Sequence, residues 1–101
     1  MLKVTVLYGH PADAGAFEDY YTRTHIPIAA RIPGVARKEF TRFLAGPDGS
    51  RPAYYRMVEL YFESEARLQA SLGSPEALAA IADIPSFATG GATVLVGAVQ
   101  G

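Results

Sequence analysis

The sequence holds no cysteine. That excludes disulfides, thiolate metal sites and a cysteine nucleophile, and it fits a reducing cytoplasm. Charge is also scarce: 19% of residues are charged, with nine Lys+Arg against ten Asp+Glu and a formal net charge of -1. Such a balance gives no global field to attract nucleic acid or an anionic membrane surface. The nearest approach to a basic patch, Arg31, Arg37, Lys38 and Arg42, is interrupted by Glu39 and reads as a solvated face. No apolar run approaches the roughly 20 residues of a membrane span. The opening "MLKVTVLYG" is too short for a signal peptide and alternates like a strand. Two histidines, His10 and His25, make no recognisable metal-ligand spacing, so neither a metal nor another cofactor is expected.

Apolar side chains, by contrast, make up 50% of the 101 residues. The length favours one domain spanning 1–101. The apolar share is high for a domain with so much surface per unit volume, and a buried subunit interface would absorb the excess.

Residues 2–8, "LKVTVLY", place Leu2, Val4, Val6 and Tyr8 on one face of a strand. "GHPAD" turns the chain, and Asp13 caps a helix whose positive end holds Glu18 and Asp19. At 100° per residue, Phe17, Tyr21, Thr24 and Ile28 form its buried stripe. Asp19 and Arg23 are spaced for an i,i+4 pair. Pro33-Gly34 ends the element, and a second strand is predicted over 35–44. "AGPDGSRPA" (45–53) is a loop, and "YYRMVELYF" (54–62) is the clearest strand. Ser64 caps a short helix to about Leu72, and Ser74-Pro75-Glu76 starts another. "ATVLVGAV" (92–99) is the last strand. The order is β-α-β-β-α-β, an α+β ferredoxin-like arrangement: a four-stranded antiparallel sheet with its helices on one face.

The other face is then open. Val58, Leu60 and Phe62 point to the helices, whereas Tyr55, Met57, Glu59 and Tyr61 point away, joined by Val35, Glu39, Thr41 and Phe43. That set is too apolar to leave in water. In so short a chain the simplest cover is a second copy, giving a symmetric homodimer with a cavity between two sheets.

"FEDYYTRTHIPIAARIPG" is similar to the F-x-x-Y-Y…H-x-P-(L/I)…P-G motif of the EthD family. "YYRMVELYF" before a short helix and "FATGGATVLVG" near the end resemble the same family. The resemblance implies the dimeric α/β-barrel architecture. It implies a link to a cytochrome P450 system, such as the one that degrades ethyl tert-butyl ether, or to polyketide-type metabolism. Relatives include cyclases, dehydratases, oxygenases and, further off, haem-binding proteins. The family name therefore speaks to shape more than to reaction.

Within the motif, Pro27 has no amide hydrogen to offer the carbonyl of Arg23, and Ile26 is pushed from helical torsions. The helix is expected to bend or end near His25, about 80° from Phe17 at the margin of the buried stripe. A bent end aims an imidazole and frees a carbonyl to hold one of its nitrogens. Histidine serves as base, acid or ligand near neutral pH. The plainer alternative is a ring that caps the bent helix. The match to the family's histidine sets the two readings level.

Glu59, a carboxylate in an apolar strand, is either an acid of the cavity or a structural group paired with Arg37 or Arg56. Tyr20, Thr41, Phe43, Tyr55, Met57 and Tyr61 are the candidate ligand contacts, against the alternative of ordinary core and interface residues. Tyr20 and Tyr21, being adjacent, are expected on different faces. His10 is expected to face solvent. The first functional expectation is a homodimer binding a small apolar or aromatic molecule between sheet and helices, with His25 as general acid or base and Glu59 or a tyrosine as helper. The rivals are a non-catalytic accessory of an oxygenase system and a haem-binding protein with His25 as axial ligand.

Overall fold

The computed structural model describes residues 1–101. Seven residues of strict alternation make β1 (Leu2–Tyr8), and Val4, Val6 and Tyr8 are its buried set. Asp13 caps α1 (Ala14–Tyr20), its Oδ1 accepting from the Ala16 N–H at 3.0 Å. A π-helical turn (Tyr21–His25) leads directly into α2 (Ile26–Ala29). β2 (Arg37–Arg42) and β3 (Arg56–Phe62) follow. Ser64 caps α3 (Glu65–Leu72), and Ser74 caps α4 (Pro75–Asp83) with Pro75 in its first turn. A 3-10 turn (Ile84–Ser86) precedes β4 (Ala92–Ala98).

The strands form one antiparallel sheet in the order β2-β3-β1-β4, as the ferredoxin-like reading requires. The register sets Val4 opposite Leu60 and Val96, and Val6 opposite Val58 and Val94. On the helix side Val4, Val6, Val58 and Leu60 meet Phe17, Tyr21, Leu68 and Phe87 in one core, while Val94 and Val96 stay exposed. Burying each of Phe17, Phe62 and Leu68 contributes about 2 kcal/mol. Gly9 and Gly90 let the end of β1 and the approach to β4 meet backbone to backbone: a Cβ on Gly9 would lie 2.2 Å from the Gly90 carbonyl oxygen.

The helix does not end at His25. It widens there. The Ile26 N–H reaches back five residues to the Tyr21 carbonyl, and Pro27 falls in the first turn of α2, where no amide hydrogen is needed. The widened turn also corrects the expected stripe. Phe17, Tyr21, His25 and Ala29 are the buried positions, while Thr24 and Ile28 are only half-buried. A four-residue step drifts by about 40° per turn in an α-helix, and the extra residue in the π turn offsets that drift.

Both middle strands are shorter than expected. Val35 leaves the uncovered face and packs against the core. Tyr55 turns to the helix side, its ring 5.1 Å from Phe17. The backbone at Tyr55 is engaged twice, bonding the Phe43 N–H and the Tyr8 carbonyl, where the loop joins the sheet. His10 does not face open solvent: its Nε2 lies 2.7 Å from the Pro52 carbonyl oxygen, pinning the base of the 45–53 loop. No helix is long and apolar enough to cross a membrane.

Candidate functional site

His25 is delivered to the core by the π turn and is 5% exposed. Its ring stacks on Tyr21 at 5.8 Å and leans on Phe87 at 4.5 Å. Nδ1 lies 3.0 Å from Asp83 Oδ2, at the end of α4. The other oxygen of that carboxylate accepts from the Tyr20 hydroxyl at 2.7 Å. Burial opposes the charge on Asp83, but hydrogen bonds from Tyr20, His25 and Ser86 outweigh it and hold the carboxyl below the usual aspartate range. Asp83 therefore stays ionised, and the Nδ1 proton donates to it. Nε2 is left without a protein partner.

His25 belongs to the wall of a cavity of about 70 Å³ between sheet and helices. Val4, Val6, Val58 and Leu60 form its floor, and Ala77, Ala80 and Ile84 its roof. It opens beside Ile81 and Val94, which are 48% and 51% exposed. His25 and Tyr8 are the only lining residues that carry a polar side-chain atom. The cavity lies far below the roughly 300–1,000 Å³ of drug-sized ligand sites. A haem macrocycle does not fit these walls.

The sequence candidates divide between the two faces of the sheet. Tyr20 borders the site through Asp83 and stacks on Phe87 at 5.6 Å. Tyr21 is buried in the core and Tyr20 is half-buried at its rim, as adjacent positions require, although both rings lie 5.6 Å from Phe87. Glu59, Thr41, Met57 and Tyr61 lie on the uncovered face, as the pairing of Glu39 with Glu59 and Thr41 with Met57 shows. Phe43, half-buried just beyond β2, does not line the cavity, and neither does Tyr55. Glu59 and His25 thus do not share a site.

Nor is Glu59 paired with either expected arginine. It accepts from Lys3 Nζ at 2.6 Å and lies 3.4 Å from the Tyr61 hydroxyl, which donates to Glu39 at 2.8 Å. Arg56 is committed to Glu18 through two hydrogen bonds, and Arg37 lies over the Tyr61 ring at 4.3 Å. The freed-carbonyl and capping readings of His25 both give way to the carboxylate, because the ring makes no cap bond to the helix.

Sequence reasoning missed Asp83, Phe87 and the place of Tyr8 in the cavity lining. Asp83 did carry a signal. It closes an otherwise apolar helix, "PEALAAIAD", at the end where the helix dipole disfavours a carboxylate. An acid placed there needs a tertiary partner.

A family model described as the EthD domain matches residues 10–91. An uncharacterized 11.0 kDa protein of Rhodococcus erythropolis, from the thcB-thcC intergenic region, is 42% identical over 99 residues, covering 94% of this chain and 91% of that one. The crystal structure of an ethyl tert-butyl ether d (ethd) family protein from Bacillus halodurans matches at 32% identity with a TM-score of 0.91, over 99% of both chains. A dimeric ferredoxin-like protein of unknown function from Thermobifida fusca, at 17% identity and a TM-score of 0.71 over 97% of this chain and 90% of that one, shares the fold alone. Residue motifs, sheet topology and these likenesses agree: the chain belongs to the EthD family.

Proposed function

We propose that this EthD-family chain binds a small apolar or aromatic molecule between sheet and helices, and that His25 moves a proton on it. The observation that carries the reading is the 3.0 Å contact of His25 Nδ1 with Asp83 in a wall that is otherwise almost wholly apolar. With Nδ1 donating to an ionised carboxylate, Nε2 keeps the free lone pair. Nε2 takes a proton from the carbon beside a ligand carbonyl, and Asp83 faces the charge that the ring gains. Return of the proton to another atom gives isomerisation. Its delivery to a departing hydroxyl gives dehydration. Neither step draws on a cofactor. Tyr20 supports the chemistry from behind, through the second oxygen of Asp83.

Glu59, Thr41, Met57 and Tyr61 serve assembly in this reading. A second copy covers their face to make a homodimer, and the dimeric relative from Thermobifida fusca supports that arrangement. The lack of cysteine fits a cytoplasmic setting, and the family resemblance adds a cytochrome P450 system as partner, with a role in xenobiotic degradation or polyketide-type metabolism.

Small aryl ketones in D₂O test the chemistry. NMR should show catalysed exchange at the carbon beside the carbonyl, reduced by about a hundredfold or more in His25→Asn. Ligand binding without any catalysed exchange would favour the second reading, a carrier without chemistry. The exposed apolar mouth at Ile81 and Val94 suits that role as well.

A further inference from the structure

Three buried hydroxyls, those of Tyr8, Tyr21 and Ser71, have no hydrogen-bond partner. Leaving such a group unpaired is unfavourable, and unpaired groups in a well-packed core mark places where a water or ligand belongs. Only Tyr8 of the three lines the cavity. It is 1% exposed, and its ring lies 5.5 Å from Phe87 and 5.7 Å from Tyr21, the same two rings that flank His25. Tyr8 and His25, the only lining residues with polar side-chain atoms, are thus held against the same pair of rings. Burial pushes the Tyr8 hydroxyl well above the usual phenol range, so it stays protonated and able to donate. The rest of the lining is aliphatic, apart from these two rings, and offers an oxygen atom nothing to bond.

We infer that Tyr8 is the oxygen-recognising residue of this cavity. Its hydroxyl donates to a carbonyl or phenolic oxygen on a ligand whose remaining surface is apolar. The ligand enters past Ile81 and Val94, oxygen first, and a slight displacement of the enclosed ring completes the bond. This inference rests on the cavity being a ligand site, but not on His25 being a base. It narrows the ligand class to oxygenated hydrocarbons and selects against plain ones.

The test uses a shape-matched pair of probes, acetophenone and α-methylstyrene, titrated into wild-type protein and Tyr8→Phe by calorimetry. Tyr8→Phe should weaken acetophenone binding about tenfold and leave α-methylstyrene within about twofold. Its ligand-free melting temperature should match or exceed that of the wild type, because the lost hydroxyl had no partner. Equal effects on both probes, or none on either, would overturn the inference while leaving the cavity as a ligand site. A lower melting temperature would also overturn it, by showing that the hydroxyl is already bonded within the protein. Failure of both probes to bind wild-type protein would remove the ligand site itself, and this inference with it.

Discussion

His25 and Asp83 stand 58 positions apart in the chain, and in the fold their side chains meet at 3.0 Å. One comes from a widened helical turn and the other from the last residue of α4. Their contact is the feature on which the proposed proton transfer rests.

Under the proposed function, His25 has a structural role and a chemical one, and variants separate them. His25→Ala removes a buried ring from between Tyr21 and Phe87 and strips Asp83 of a donor. It should cost about 2–3 kcal/mol in denaturant unfolding. His25→Asn can still donate to Asp83 and should recover much of that loss, yet it offers no base at neutral pH. An Asn variant that retained the exchange activity would take His25 out of the chemistry.

Tyr20→Phe deletes one hydrogen bond to Asp83 and should destabilise the protein by about 1 kcal/mol. Since that bond helps to hold the Asp83 carboxyl down, its titration should move upward toward ordinary aspartate values. Carboxyl-carbon NMR reads the shift directly. An unmoved titration would mean that Tyr20 donates elsewhere in solution.

Glu18 and Arg56 predict an acid limb of stability. The hydrogen bond from Arg56 is the main force lowering the Glu18 carboxyl. A carboxyl whose folded-state pKa is depressed adds stability above its unfolded pKa, and that stability is lost as pH falls through the folded value. The loss should begin near 4.5, the ordinary value for Glu18, and continue below it. Glu18→Gln should cost about 1–2 kcal/mol at pH 7 and flatten the acid limb. A mutant curve parallel to the wild type between pH 5 and 2 would assign the limb to other carboxylates.

The uncovered sheet face predicts assembly. Leu95 is 50% exposed and shares that face with Thr5 of β1 through the strand register. Light scattering should find a homodimer, burying on the order of 2,000 Å² in total. Leu95→Lys should shift it toward monomer. A monodisperse wild-type monomer at micromolar concentration would refute the arrangement.

The 45–53 loop should tolerate shortening. Its tip is held by local bonds, Gly46 to Ser50 and Ser50 to Asp48, while the anchor to His10 lies at Pro52. Deleting Asp48-Gly49-Ser50 should leave the melting temperature within a few degrees. A loss of cooperative melting would place the tip against the core or a partner subunit.

Much of this protein is legible along the chain because it depends on near neighbours. The alternation of β1, the caps Asp13, Ser64 and Ser74, the Asp19–Arg23 pair and the glycine- and proline-rich loop each involve residues within one turn or one strand. Their order is enough for a ferredoxin-like sheet and for the apolar face that its helices leave bare. The motif around His25 singled out the residue but not its partner. Which face Tyr55 takes, whether Glu59 answers to Lys3 or to an arginine, and whether a proline ends a helix or sits in a widened turn were settled only by packing. The pairing of His25 with Asp83 belongs there too. Such contacts join segments far apart in sequence, and their geometry follows from how a filled core aligns the elements, which no local period or propensity records.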